Sequence, residues 1–243
     1  MCCIIGVLAF SSCSINDDTI YAKLSENNLS NDGFYYDLYE NNTVAITGWN
    51  RKERTLNIPD IVDGYKVVEI AAEAFAENER KPLADIFSLI KDGRYELWGL
   101  FDDNLMLGYA ALWKHTDIPL VLLDYLGVTS AKRNSGLGGE ILRRLTALKF
   151  PLVTESELPV EGDSAEENHL RLRRIAFYKR NGFSPAYEMA TCGMRWQALT
   201  VNIASFPMTD IMRWHRALYG PARTDVRVPL GRDEIPEMPY WMK

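Results

Sequence analysis

Seven consecutive residues, Arg133-Asn134-Ser135-Gly136-Leu137-Gly138-Gly139, carry the strongest chemical signal in this chain. They follow an apolar run that ends at Val128, and an amphipathic stretch begins within them. A strand, a glycine-rich turn and a helix N-terminus in that order aim several backbone N–H groups at one spot, where the helix dipole adds positive potential. Such a turn captures phosphate or pyrophosphate. The spacing of Gly136, Gly138 and Gly139 does not fit the G-x-G-x-x-G of a dinucleotide fold. A P-loop needs Lys and then Ser or Thr after its second glycine, and here Glu140 follows Gly139.

A second group of residues could move protons. Glu155 and Glu157 alternate with Thr154 and Ser156, so a strand there sets both carboxylates on one face. Either could take a proton from an acceptor, directly or through a water; the other reading is a solvated strand edge. Arg171, Arg173 and Arg174 read as a solvated helix face, with a phosphate or the acidic strand as alternative partners. His115, His169 and His215 stand alone and read as non-catalytic. Asp124 needs a partner if buried and reads as structural. Trp196, Trp214 and Trp241 read as packing residues.

Composition bounds the rest. A chain of 243 residues can build one or two domains. Its hydrophobic content of 47% and charged content of 25% are those of a soluble globular protein. A net charge of −6 argues against general nucleic-acid binding. Cys2, Cys3, Cys13 and Cys192 show neither metal-ligand spacing nor a disulfide framework, so no metal is expected.

The elements that must position these groups follow from periodicity and turn residues. Ile4–Phe10 is a short apolar run before Ser11-Ser12-Cys13-Ser14. It resembles the tail of a bacterial lipoprotein signal, lipidated at Cys13, but no Lys or Arg precedes Lys23 and the run cannot span a bilayer. The other reading is an apolar tail, disordered or docked. Residues 14–33 read as a polar linker. Phe34–Val44 reads as a hairpin around Glu40-Asn41-Asn42, and Asp63-Gly64 as a turn between short strands ending at Ile58 and spanning Val67–Ile70. Leu83–Lys91 reads as a helix, Tyr95–Phe101 and Met106–Trp113 as strands around Asp102-Asp103-Asn104, and Leu120–Val128 as a buried central strand. The helix after the glycine turn places Leu137, Ile141, Leu142, Leu145 and Leu148 on one side. A strand over Pro151–Leu158, a helix over Ala165–Asn181 capped by Gly182, a return to strand from Phe183 and a helix over Pro207–Tyr219 complete the reading.

Two resemblances organise these pieces. LNIPDIVDGYKVVEIAAEAF, within Ile46–Phe75, resembles one unit of the BspA-like surface-antigen leucine-rich repeat. Units of this kind bury their faces on neighbours, so a single one must pack on something else. The R-x-x-G-x-G-G of Arg133–Gly139 resembles motif A of the GNAT N-acetyltransferases. Arg173–Phe183, RRIAFYKRNGF, resembles their motif B, with ENERKP (residues 77–82) and LDYLGV leading into motif A as further matches. The resemblance is to a bacterial subgroup and runs from Ala74 to about Tyr219. It implies an α/β (α+β) fold with a mixed, mostly antiparallel sheet flanked by helices, here joined to a small N-terminal β-rich repeat unit. The expected division is 1–33 apolar segment and linker, 34–77 repeat-like unit, 78–220 acetyltransferase domain and 221–243 tail.

The resemblance also implies a reaction: acetyl passes directly from acetyl-CoA to an amine of a small molecule or peptide. Arg133, Asn134, Ser135, Gly136, Leu137, Gly138 and Gly139 would hold the pyrophosphate, with backbone at Leu126 and Val128 pairing with the pantetheine arm. The Val128 N–H would also polarise the thioester carbonyl. Tyr178 would be the acid that protonates the leaving thiolate, and Glu155 or Glu157 the base. No nucleic-acid partner and no membrane span are expected; a homodimer is left open, and the expected compartment is the cytoplasm. The GNAT domain normally begins with a strand and helix in the position the repeat unit occupies here, which bears on the acceptor site. The rival reading is an envelope-anchored interaction protein, held through Cys13, that uses a degenerate GNAT scaffold.

Overall fold

The structure is a computed structural model that describes residues 3–10, 23–31, 34–39, 43–49, 55–58, 61–70, 83–102, 105–129 and 132–239. Cys13, the Glu40–Asn42 turn, the Ala74-Phe75 pair, residues 77–82, Asp103-Asn104 and Trp241, all used in the sequence reading, lie outside the described residues. The chain forms two compact units, one of Met1–Leu112 with Tyr125–Ile141, the other of Trp113–Asp124 with Leu142–Lys243. No helix among the described residues is long and apolar enough to cross a membrane.

The first unit is rich in strands. β1 (Cys3–Phe10) pairs antiparallel with β8 (Tyr95–Asp102) and parallel with β5 (Thr55–Ile58). The apolar run is a sheet strand here. It also supplies a strand ahead of α1 (Leu83–Lys91), where the sequence reading had the repeat unit in place of one. β2 (Lys23–Leu29) lies in the stretch read as linker, and β3 (Phe34–Tyr39) pairs with it and with β4 (Thr43–Trp49). The polar side chains of β2 hid it from a hydrophobicity reading, because backbone pairing rather than burial defines that edge. The turn expected at Asp63-Gly64 is present, but the strand before it is β6 (Ile61–Val62), which forms a hairpin with β7 (Tyr65–Ile70). Both turn residues have positive φ, 49° and 86°, as a two-residue hairpin of matching twist requires. Tyr36 donates its hydroxyl to Asp63 Oδ2 at 3.2 Å, tying β3 to that turn.

β9 (Leu105–His115) neighbours β10 (Ile118–Val128), and α2 (Leu137–Ala147) follows the glycine turn. Within the first unit these elements approach closely because two glycines permit it. A Cβ at Gly108 would stand 2.6 Å from the Gly127 carbonyl oxygen and 3.0 Å from Ile141 Cδ1. One at Gly127 would stand 2.4 Å from the Tyr109 ring, which covers that glycine across the pair.

In the second unit the sheet order is β12 (Ser184–Thr191), β13 (Met194–Val201), β11 (Leu152–Glu157), β10. β10 and β11 run parallel, and the other two pairs are antiparallel. Counting both units, the sheets are mixed and mostly antiparallel, as expected. Leu120, Leu122, Leu123, Leu152 and Val153 are buried, so the apolar run of β10 is indeed a core strand. Ile141, Leu142 and Leu145 of α2 are buried, but Leu148 is not on that face. The helix ends at Ala147 and Lys149 takes a positive φ of 66°, which turns Leu148 to solvent.

α3 (Ala165–Arg180) starts on a Ser164–Glu167 capping box. It ends with Gly182 at φ 90°, Gly182 N–H on Lys179 O at 3.2 Å and Phe183 N–H on Tyr178 O at 3.1 Å. These are the two bonds of a Schellman cap, and the Tyr178 and Phe183 rings meet edge-on at 5.6 Å as its apolar contact. α4 (Met208–Leu218) buries Ile211, His215 and Leu218. The described part of the C-terminal segment is docked. Arg227 exchanges both backbone bonds with Ala190, and Leu230 N–H reaches Glu188 O at 2.8 Å, so the segment covers the free edge of β12.

Replacing Gly108 by Ala should lower stability by about 1–3 kcal/mol through overpacking. The check is the chemical-denaturation midpoint, which should fall at unchanged slope; an unmoved midpoint would contradict the close approach at Gly127.

Candidate functional site

The glycine turn lies in the first unit. Lys132 N–H bonds Thr129 O at 2.9 Å, and Thr129 N–H bonds Leu107 O at 3.1 Å, so the end of β10 is anchored before the chain turns. Asn134 (φ 62°) and Gly136 (φ 86°) take left-handed conformations, and the Ser135 hydroxyl donates to Lys132 O. Asn is among the residues that tolerate this region; at Gly136 it favours glycine. A Cβ at Gly136 would meet nothing within 4 Å, so the turn is open there. Arg133, Asn134, Ser135 and Gly136 are exposed, whereas Leu126, Val128, Leu137, Gly138 and Gly139 are half-buried. Glu140 N–H bonds Gly136 O at 3.1 Å. The N–H groups of Leu137, Gly138 and Gly139 come before the helical ladder, where a helix leaves its donors for an external acceptor.

Tyr178, Glu155 and Glu157 lie in the second unit. The Schellman cap fixes Tyr178 through its own carbonyl, and Phe177 and Phe183 flank its ring at 5.4 and 5.6 Å. Tyr178 is half-buried. Burial pushes its titration above the ordinary tyrosine value, with the Thr154 hydroxyl and the Arg174 charge pulling back. Thr154 itself donates to Leu123 O at 3.1 Å. The phenol thus stays protonated at neutral pH, as a proton donor must.

The two glutamates have different fates. Glu157 is buried against Arg171, with Nε 2.9 Å from Oε2; Arg174 Nη1 lies 3.9 Å from Oε1. Arg171 also holds Asp163 at 2.6 Å and Asn168 at 3.0 Å. Arg171 is therefore an enclosed ion-pair residue and not part of a solvated helix face, while Arg173 and Arg174 are exposed as expected. Glu155 instead meets α4. Tyr219 directs its hydroxyl at both carboxylate oxygens, 2.8 Å from each. His215 Nε2 lies 2.9 Å from Oε1, but the ring N–H direction is off that oxygen, so the contact is a close charge approach and not a well-formed hydrogen bond. The other ring nitrogen, Nδ1, lies 2.9 Å from the Tyr187 hydroxyl.

This cluster went unread in the sequence, where His215 stood alone. The signal available was spacing: His215 and Tyr219 are four apart on a helix and so share a face with buried Ile211 and Leu218. A polar pair on an apolar stripe needs a buried partner, and Glu155 is that partner. Trp113 packs edge-on to Tyr219 at 5.0 Å, and the Arg223 guanidinium lies over the Tyr219 ring at 5.1 Å. Burial pushes the Tyr219 phenol well up; Glu155 and Asp124 add to this and Arg223 opposes it. Burial likewise pushes Tyr187 far up, with Glu155 adding to it.

Arg223 is itself buried. It grips Asp225 with two bonds of 2.8 Å and Thr191 Oγ1 at 2.7 Å, and Cys192 N–H reaches Asp225 Oδ2 at 3.1 Å. Burial disfavours both charges, yet the pair's mutual bonds hold Asp225 below and Arg223 above their ordinary values.

The order strand, glycine turn, helix, parallel strand, helix, hairpin is the order the GNAT resemblance implies. No family model matches the chain. YjbC of Bacillus subtilis (strain 168), named as an acetyltransferase, is 30% identical over 94 residues, 39% of this chain and 44% of YjbC. The chain thus matches less than half the length of that relative. Among solved structures, a GNAT-family acetyltransferase from Bacteroides thetaiotaomicron is 24% identical, with 62% of this chain and 88% of that one covered at a TM-score of 0.47. A GNAT-family acetyltransferase from Elizabethkingia anophelis, solved with acetyl-CoA bound, is 17% identical, with 54% and 93% covered at a TM-score of 0.36.

Replacing Arg223 by Ala would strand the buried Asp225 carboxylate and should cost about 3–5 kcal/mol. The readout is the thermal midpoint; a loss no larger than that of an exposed Arg→Ala change, such as Arg213→Ala, would show that the pair does not hold the C-terminal segment.

Proposed function

We propose that this chain is a GNAT-type N-acetyltransferase that moves acetyl from acetyl-CoA to an amine of a small molecule or peptide. The observation that carries this reading is the open turn between β10 and α2, with left-handed backbone at Asn134 and Gly136. The sequence match to YjbC supports it. Arg133 to Gly139 take the pyrophosphate of the donor, and backbone at Leu126 and Val128 pairs with its pantetheine arm. Acetyl-CoA is a cytosolic compound, so the working compartment is the cytoplasm. Residues 34–77 are read as a repeat-like β-unit attached to the catalytic domain.

In the reaction the amine nitrogen attacks the thioester carbonyl, the C–S bond breaks, and the thiolate takes a proton from Tyr178. The Val128 N–H stabilises the oxyanion that forms on the carbonyl oxygen. Of the two carboxylates, Glu155 is the one that assists removal of the amine proton, since Glu157 is neutralised by Arg171.

Two measurements test this. Titration calorimetry should show acetyl-CoA binding to the whole chain, abolished by Gly136→Glu combined with Gly138→Glu; unchanged affinity in that variant would sink the assignment. Tyr178→Phe should lower turnover by about 10²-fold with little effect on acetyl-CoA affinity, as loss of a positioned acid does. Normal turnover would remove Tyr178 from the mechanism.

A further inference from the structure

The buried Glu155 cluster carries a more specific inference, which rests on the acyltransfer reading above. Both oxygens of Glu155 are occupied, by Tyr219 on each and by His215 on Oε1. Its side chain is only 11% exposed. A carboxylate so enclosed is poorly placed to meet an acceptor amine itself. His215 is fully buried, at 0% exposure, between Glu155 on β11 and Tyr187 on β12. Tyr187 is half-buried and forms the other end of the row. We propose that Tyr187, His215 and Glu155 form a proton relay in which Tyr187 meets the acceptor amine and Glu155 acts only through the imidazole.

The chemistry follows from which nitrogen carries the proton. In the neutral ring an N–H on Nε2 lies on the carboxylate side, 2.9 Å from Oε1 though not aligned with it, and bare Nδ1 accepts the Tyr187 O–H. The opposite tautomer would set a bare nitrogen lone pair 2.9 Å from a carboxylate oxygen, which is repulsive. During attack, the amine N–H bond breaks and its proton bonds to Tyr187 Oη. The proton that Tyr187 held passes to His215 Nδ1. The imidazolium that results is stabilised by ionised Glu155, and the proton returns by the same path to water after the amide leaves. No free phenolate forms, which matters because burial and Glu155 both resist one on Tyr187. The other charged and titratable groups facing the row are Tyr219 at the C-cap of α4, Asp124 on β10 and Arg223 of the C-terminal segment. Tyr187 would be a catalytic residue, and His215 and Glu155 positioning residues. The arrangement parallels the use of a carboxylate to set the tautomer of a catalytic histidine in serine hydrolases.

The chain has three histidines, so its imidazole nitrogens can be resolved by 15N NMR on the full-length protein. His115→Gln and His169→Gln assign the His215 signal without touching the cluster. The expected result is an Nε2–H tautomer for His215 in the wild type, lost in Glu155→Leu, with the Nδ1 resonance displaced in Tyr187→Phe. An Nδ1–H tautomer in the wild type, or a His215 signal indifferent to Glu155→Leu, would overturn the relay. In acetyl transfer from acetyl-CoA to tyramine, used as a primary-amine probe, Tyr187→Phe should lower kcat/KM by about 10²-fold and flatten the acid limb of its pH profile. Tyr178→Phe should leave that limb in place. A Tyr187→Phe enzyme with the wild-type rate and profile would also overturn the proposal. Acetyl-CoA calorimetry is read separately, so a failed relay and a failed acyltransferase assignment give different results.

Discussion

A nearly buried carboxylate organises the second unit. Taking an ionised glutamate out of water costs several kcal/mol unless donors replace the lost hydration. At Glu155 the Tyr219 hydroxyl, at the C-cap of α4, is directed at both oxygens, and the His215 ring lies beside Oε1. That requirement fixes the rotation of α4 about its axis. Ile211, His215 and Leu218 face inward because a helix that aims His215 and Tyr219 at β11 has no other stripe to bury. The demand then spreads outward. Tyr219 supports the Arg223 guanidinium, Arg223 grips Asp225 and Thr191, and the segment that carries them covers the edge of β12.

The first unit solves a different problem, which is to bring backbone close to backbone. The anion capture proposed for this turn needs it free of side-chain bulk and a strand end held in place before it. Gly108 and Gly127 let β9 and β10 approach with Ile141 of α2 beside them, and Tyr109 covers the gap that Gly127 leaves. The Thr129–Leu107 bond then anchors the strand end. The left-handed residues Asn134 and Gly136 reverse the chain so that the first turn of α2 leads with unpaired donors. Each piece is local, which is why the turn could be read from residue types alone.

The two glutamates show where such reading stops. Alternation along a strand set Glu155 and Glu157 together but said nothing about their partners. Arg171 had to be fourteen residues away on α3 to neutralise Glu157, and His215 and Tyr219 sixty or more away on α4 to enclose Glu155. The same limit explains β1 and β2. A short apolar run and a polar stretch are both poor strand signals, and each became a strand by pairing with segments remote in sequence.

The sequence by itself determined the features that depend on near neighbours: the glycine turn, the Asp63-Gly64 turn, the Gly182 end of α3 and the apolar strand β10. These rest on φ preferences, capping and periodicity, all set within a few residues. Tertiary structure alone decided which carboxylate is neutralised by arginine and which is enclosed by phenol and imidazole. It also decided that an apparently isolated histidine sits in a row of hydrogen-bonding groups. Those outcomes depend on burial, and burial exists only once distant segments have packed.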